Sequence, residues 1–201
     1  MTPAIFRAAV LCASVLCPLA VSGQTAEDIA DCNQSTDPSL QIAGCTRFID
    51  TGVTGPNLAV ALANRGIAHD ALGQTEAAIA EFDAAIEVNP DYGIAFYNRG
   101  VAYASLGDLN RAIEDFDRAL EINPYDVEAL DQRGVSYFEL RQYARAIEDY
   151  DKAIWIDPEY GAAYYHRGIA YGAVAELDLG QADYHKALEL GCNRHGWCPA
   201  R

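Results

Sequence analysis

The sequence predicts an all-α solenoid, a stack of antiparallel helix pairs, over most of its 201 residues. Three observations carry that expectation. A 34-residue pattern repeats without a gap from residue 59 to residue 192. Within each copy the apolar residues fall in two stripes at three- and four-residue spacing, as two amphipathic helices require. Glycines at mid-copy and Asn-Pro or Asp-Pro steps near the end punctuate the stripes; proline cannot continue a helix and biases its predecessor away from helical geometry. One such helix pair leaves an apolar face open, and stacking neighbours makes the core continuous.

The elements follow in chain order. Residues 1–23 read as a secretory signal: Arg7 precedes an apolar run from Ala8 to Val21, and small residues lead to a cleavage point after Gly23. That run is about 14 residues, short of the roughly 20 that a membrane span needs. Cys12 and Cys17 each follow leucine, so no lipid-anchored cysteine is expected. Cleavage removes one base and no acid, leaving the remainder one unit more negative than the −15 of the whole chain. Such a charge speaks against nucleic acid or an anionic membrane as partner, since both need a basic footprint. Four cysteines remain, Cys32, Cys45, Cys192 and Cys198, in two close pairs. In an exported protein these are expected as disulfides. The stretch "CNRHGWC" also offers Cys192, His195 and Cys198 to a zinc ion, but the disulfide is the expected use, and no metal.

Residues 24–58 read as a degenerate helix pair. Setting Cys45 at repeat position 24 puts Cys32 at position 11, two sites held by aromatics in the second regular copy. "TGVTGP" is then the loop into the array. The regular copies are 59–92, 93–126, 127–160 and 161–192, followed by a tail, 193–201. The second copy, "GIAFYNRGVAYASLGDLNRAIEDFDRALEINPYD", is the cleanest: Gly100, Tyr103, Ala112, Phe116, Ala119 and Pro124 stand at positions 8, 11, 20, 24, 27 and 32. The fourth departs most, with Ala175 at the mid-copy glycine, Gly180 at position 20 and Cys192 in place of proline. With only a short tail beyond it, no separate polar capping helix is evident, so the last apolar face is expected to be exposed.

This pattern resembles the tetratricopeptide repeat (TPR), a 34-residue pair of antiparallel helices with small residues at positions 8, 20 and 27, and the resemblance spans 134 residues. It implies a right-handed superhelix whose first helices line a concave groove that binds peptides or protein segments. Carried onto this chain, the partner-binding residues would include Asn64, Tyr97, Asn98, Asp131, Gln132, Phe138, Tyr165 and His166. The lysines and arginines with which chaperone-binding relatives clamp a terminal carboxylate do not occur at the groove positions. Instead Asp70, Glu128, Asp131 and Glu139 lie on or beside the groove, which favours a partner rich in Lys or Arg.

One feature departs from the family pattern. Arg65, Arg99, Arg133 and Arg167 recur at position 7, where leucine is usual, and an acid recurs at position 23: Glu81, Asp115, Asp149 and Asp183. The shared period predicts structural ion pairs, because a guanidinium fork suits a carboxylate and its long stem packs on apolar surface. The rival is a row of anion-binding charges. No nucleophile elbow, phosphate loop or heme-attachment motif is present, so neither catalytic residues nor a cofactor are expected. The reading is a non-catalytic interaction module, exported and periplasmic or secreted, of a bacterial type. The alternative is an assembly component of an envelope complex that acts through self-association of the stack.

Overall fold

A computed structural model describes residues 26–33, 36–193 and 198. The residues expected as a secretory signal, residues 34 and 35, and His195 lie outside the described residues. Among those described, the chain forms ten helices and no strand. They are α1 (residues 26–33), α2 (Pro38–Asp50), α3 (Gly55–Ala71), α4 (Thr75–Val88), α5 (Gly93–Ser105), α6 (Leu109–Ile122), α7 (Val127–Glu139), α8 (Tyr143–Ile156), α9 (Gly161–Ala173) and α10 (Leu177–Glu189).

Local chemistry sets the helix ends. The Asp37 carboxylate accepts from the Ser39 and Leu40 amides ahead of α2, and Asp126 accepts from Ala129 at the start of α7, satisfying amides that a helix start leaves without partners. The mid-copy turn needs one residue in the left-handed region. Gly73 and Gly107 supply it, while Arg141 (φ 59°) and Ala175 (φ 65°) adopt it in the later copies. The turn therefore keeps its geometry even where a side chain adds roughly 1–2 kcal/mol of strain.

Two boundaries differ from the sequence expectation. "TGVTGP" is only in part a loop, because α3 begins at Gly55 with Pro56 in its first turn. Proline is tolerated there, since its missing N–H would have had no helical partner. The start of the first regular copy, residue 59, thus lies inside a helix. At the other end, α10 partly caps itself. Position 21, isoleucine in Ile79, Ile113 and Ile147, becomes the exposed Gln181, and His185 stands exposed where earlier copies have aspartate. Leu177 (69% exposed), Leu179 (48%) and Val174 (41%) nevertheless stay open at that end, as expected for the last apolar face.

Each helix packs on its chain neighbours, so the pairs stack in order. The first helices of successive regular pairs also touch, α3 on α5, α5 on α7 and α7 on α9; no such contact joins the second helices. The first helices therefore lie on the inside of the curve. The core between them is small residues against large rings: Ala63, Ala95, Ala129 and Ala163 are fully buried, as are Phe82, Phe116 and Tyr150 within a per cent. In the N-terminal pair Cys32 and Cys45 take the place of the rings, their sulfurs 2.04 Å apart and both side chains buried. Cys192 and Cys198 are likewise paired.

Candidate functional site

The two faces of the first helices carry different chemistry. At about 100° per residue, positions 5, 9 and 12 share the inner face and position 7 points to the opposite side, toward the second helix. The arginine row lies on that outer side. Arg99 donates through Nε and Nη2 to both Asp115 oxygens (2.9 and 2.7 Å), and Arg133 grips Asp149 the same way (2.8 and 2.7 Å). Arg167 and Asp183 form the third fork (2.7 and 2.8 Å), while Arg65 makes a single bond to Glu81 (2.9 Å).

The third nitrogen reaches across to the preceding copy, to a second acid that the sequence expectation did not include. Arg99 Nη1 donates to Asp83, Arg133 Nη1 to Asp117 and Arg167 Nη1 to Asp151, each at 2.5 Å. Arg65 makes the equivalent contact with the Thr46 hydroxyl of the N-terminal pair (3.2 Å). Each arginine thus ties its own two helices together and joins them to the preceding pair. The hydrogen bonds from Asp115 and Asp183 hold the Arg99 and Arg167 guanidinium groups more firmly protonated than an ordinary arginine. Burial pushes the Asp115 carboxyl up while Arg99 pulls it down; the two-bond geometry makes the ion pair the governing state. The signal for the second acid was in the sequence: aspartate recurs at 83, 117 and 151, two residues after the first.

The inner face brings together only part of the expected groove set. Phe138, Tyr165 and His166 converge with Val135, Glu139, Tyr150 and Ile169 around a pocket of about 240 Å³ between α7 and α9. Phe138 is held by Tyr143, ring centroids 5.3 Å apart, and Tyr165 meets His166 edge-on at 5.7 Å. Tyr97 is half-buried against Phe116 at 6.0 Å. Asn64 and Asn98 lie outside the pocket: Asn64 bonds Asn33 (2.9 Å) and Asn98 bonds the Ile94 carbonyl (2.8 Å). Gln132 sits between, its carbonyl accepting from Ser136 (2.9 Å).

Asp131 is a correction. Its position reads as a groove charge, but it is 1% exposed and bonded to His166 Nδ1 at 2.7 Å. It reaches the inner face through its field and its bond to His166, not as an exposed charge. That field is felt by the tyrosines. Burial, then Asp126, Glu128 and Asp131, push the Tyr97 phenol up to about 12. Burial and Asp131 also raise Tyr150 and Tyr160.

Among the described residues no cluster of three or more His, Cys, Asp or Glu could hold a metal ion, and no helix is long and apolar enough to cross a membrane. Paired helices stacked around an open inner face, braced by ion pairs on the other side, define a helical-repeat scaffold for protein–protein interaction. The chain belongs to the tetratricopeptide repeat proteins: a tetratricopeptide repeat model matches residues 63–127 and a TPR repeat model matches residues 134–174. Among solved structures it is similar to a crystal structure of MamA, 25% identical over 77% of this chain and 88% of that one, with a TM-score of 0.68. It is also similar to MamA 41-end from Desulfovibrio magneticus RS-1, 20% identical over 83% and 94% of the two chains, with a TM-score of 0.73. No curated protein matches the sequence.

Proposed function

We propose that this protein is a non-catalytic adaptor, exported to the periplasm or beyond, that binds a peptide or protein segment in the groove lined by its first helices. The observation that carries the reading is the inner-face pocket, where Phe138, Tyr165 and Ile169 remain open to a ligand. The assembly reading draws on Val174, Leu177 and Leu179, open apolar residues at the C-terminal end; Gln181 and His185 beside them argue for an end that faces water.

Capture from native envelope extract with three forms of the chain separates the two. Phe138→Ala is expected to lose the partner by about 2 kcal/mol or more, some thirtyfold, because buried aromatic anchors dominate such interfaces. Leu177→Asp is expected to retain it and to sediment as the parent does. The reverse pattern places the interface at the end of the stack.

Export carries a second expectation, that the paired cysteines are disulfides in the mature protein. Peptide mapping without reduction should recover Cys32–Cys45 and Cys192–Cys198 and no free thiol. Closing the first, with its sequence separation of 13, is worth about 3 kcal/mol in the chain-entropy model. It staples the pair that has no arginine at position 7. Free thiols, crossed pairs or stoichiometric zinc would overturn this assignment.

A further inference from the structure

We propose that the pocket between α7 and α9 is a recognition site for a cationic side chain, an arginine of the bound segment; this rests on the groove reading above and names what the groove selects. At about 240 Å³ the pocket is smaller than the roughly 300–1,000 Å³ of small-molecule sites. It is sized for one side chain rather than for a cofactor.

The polar groups at its rim are acceptors. Glu139 is exposed, and among the described residues no hydrogen bond or ion pair occupies its carboxylate. His166 adds a second acceptor. An ionised carboxylate can only accept, so the 2.7 Å contact with Asp131 puts the imidazole proton on Nδ1. In the neutral ring that leaves the Nε2 lone pair for a donor on the ligand. Phe138 and Tyr165 supply aromatic surface, on which a guanidinium stacks better than an ammonium does.

Among the described residues no lysine or arginine lines this pocket. Arg133 and Arg167 are the arginines of α7 and α9, and neither helix has a lysine. Both arginines are turned to the outer side and engaged by Asp149 with Asp117 and by Asp183 with Asp151. The field on the inner face is therefore set by acids. Burial first, and the nearby acids after it, raise the phenols of Tyr97, Tyr150 and Tyr160. An arginine entering the pocket would meet one carboxylate, one imidazole lone pair and two aromatic rings without displacing a native ion pair.

The test uses short capped Gly/Ser/Ala peptides with one central residue, either arginine, its uncharged isostere citrulline, or norleucine, titrated into the mature chain and followed by NMR. The arginine peptide is expected to shift the Phe138, Tyr165, His166 and Ile169 signals saturably and to bind about five- to thirty-fold tighter than the citrulline peptide. Glu139→Gln should bring arginine down toward citrulline while leaving the amide spectrum of the fold intact. Equal binding of citrulline or norleucine overturns the cationic assignment and leaves the groove reading standing. Failure of every peptide to move a pocket signal overturns the proposal too. In that case the Phe138→Ala capture decides whether the groove reading falls with it.

Discussion

Arg133→Ala is expected to destabilise the fold by about 3–5 kcal/mol, the range for removing one member of a buried ion pair. Asp149, its main partner, is 2% exposed and receives both arms of the guanidinium fork. Without the arginine the nearest cation is Lys152, 3.8 Å away on an exposed stem, and the carboxylate is left in a site it cannot leave. The second partner gives a built-in control. The Asp117 side chain is 45% exposed, so Asp117→Ala breaks a pair that water can replace and should cost under about 1 kcal/mol. Arg99→Ala and Asp83→Ala should repeat the contrast one copy earlier, where Asp115 is the buried acid and Asp83 the open one. Arg133→Lys keeps the charge but loses the two-bond fork, and should fall between parent and alanine. Urea unfolding of the protein reads all of these. Full stability in both arginine-to-alanine variants, with loss of partner binding, would turn the row into an anion-binding site and remove it from the scaffold.

How much of this was legible in the sequence depends on whether the contact lies inside one copy or between two. The pairing of Arg99 with Asp115 has a signature, because both residues recur with one period and both flank the apolar stripe of their helix. Asp83 recurs just as regularly, yet it lies about 200° around its helix from Glu81, where it reads as a solvated charge. Only the stacking of the next pair brings Arg99 to it, and a period within one chain does not say how far one copy rotates on another. Asp131 is unreadable for a related reason. Its position is an inner-face position, and it is covered because Tyr150, from the second helix, and His166, from the next copy, close over it. At the C-terminal end the exposed apolar face was legible, with Val174, Leu177 and Leu179 open as expected, while the polar Gln181 and His185, standing where three isoleucines and three aspartates precede them, temper it. The start of α3 was hidden by a proline that looks like a breaker until the helix is known to begin there.

Gly100→Leu tests one of the close glycine–ring approaches that recur in the array, at Gly66, Gly100 and Gly134. A Cβ on Gly100 would stand 2.8 Å from Phe116 Cε1, closer than such atoms come in folded proteins, and a tight 3.2 Å from the Ala112 carbonyl oxygen. Phe116 has no room to retreat, being fully buried with Tyr97 against its ring. Overpacking of this kind costs roughly 1–3 kcal/mol or more, and a leucine at the closest point of two helices belongs at the upper end. Helix propensity works the other way. Alanine in a helix interior is favoured over glycine by roughly 1 kcal/mol, so Gly100→Ala sets that gain against the clash and should still lose, because the neighbour that must move is a trapped ring. Gly172 isolates the propensity term, since a Cβ there meets nothing within 4 Å. Gly172→Ala should raise the melting temperature by about 2–4 °C, the shift that roughly 1 kcal/mol produces in a domain of this size. Gly100→Leu should lower it by more than Gly172→Ala raises it. An unchanged melting temperature for Gly100→Leu would mean that α5 and α6 do not meet at this glycine, and the repeat frame would have to move.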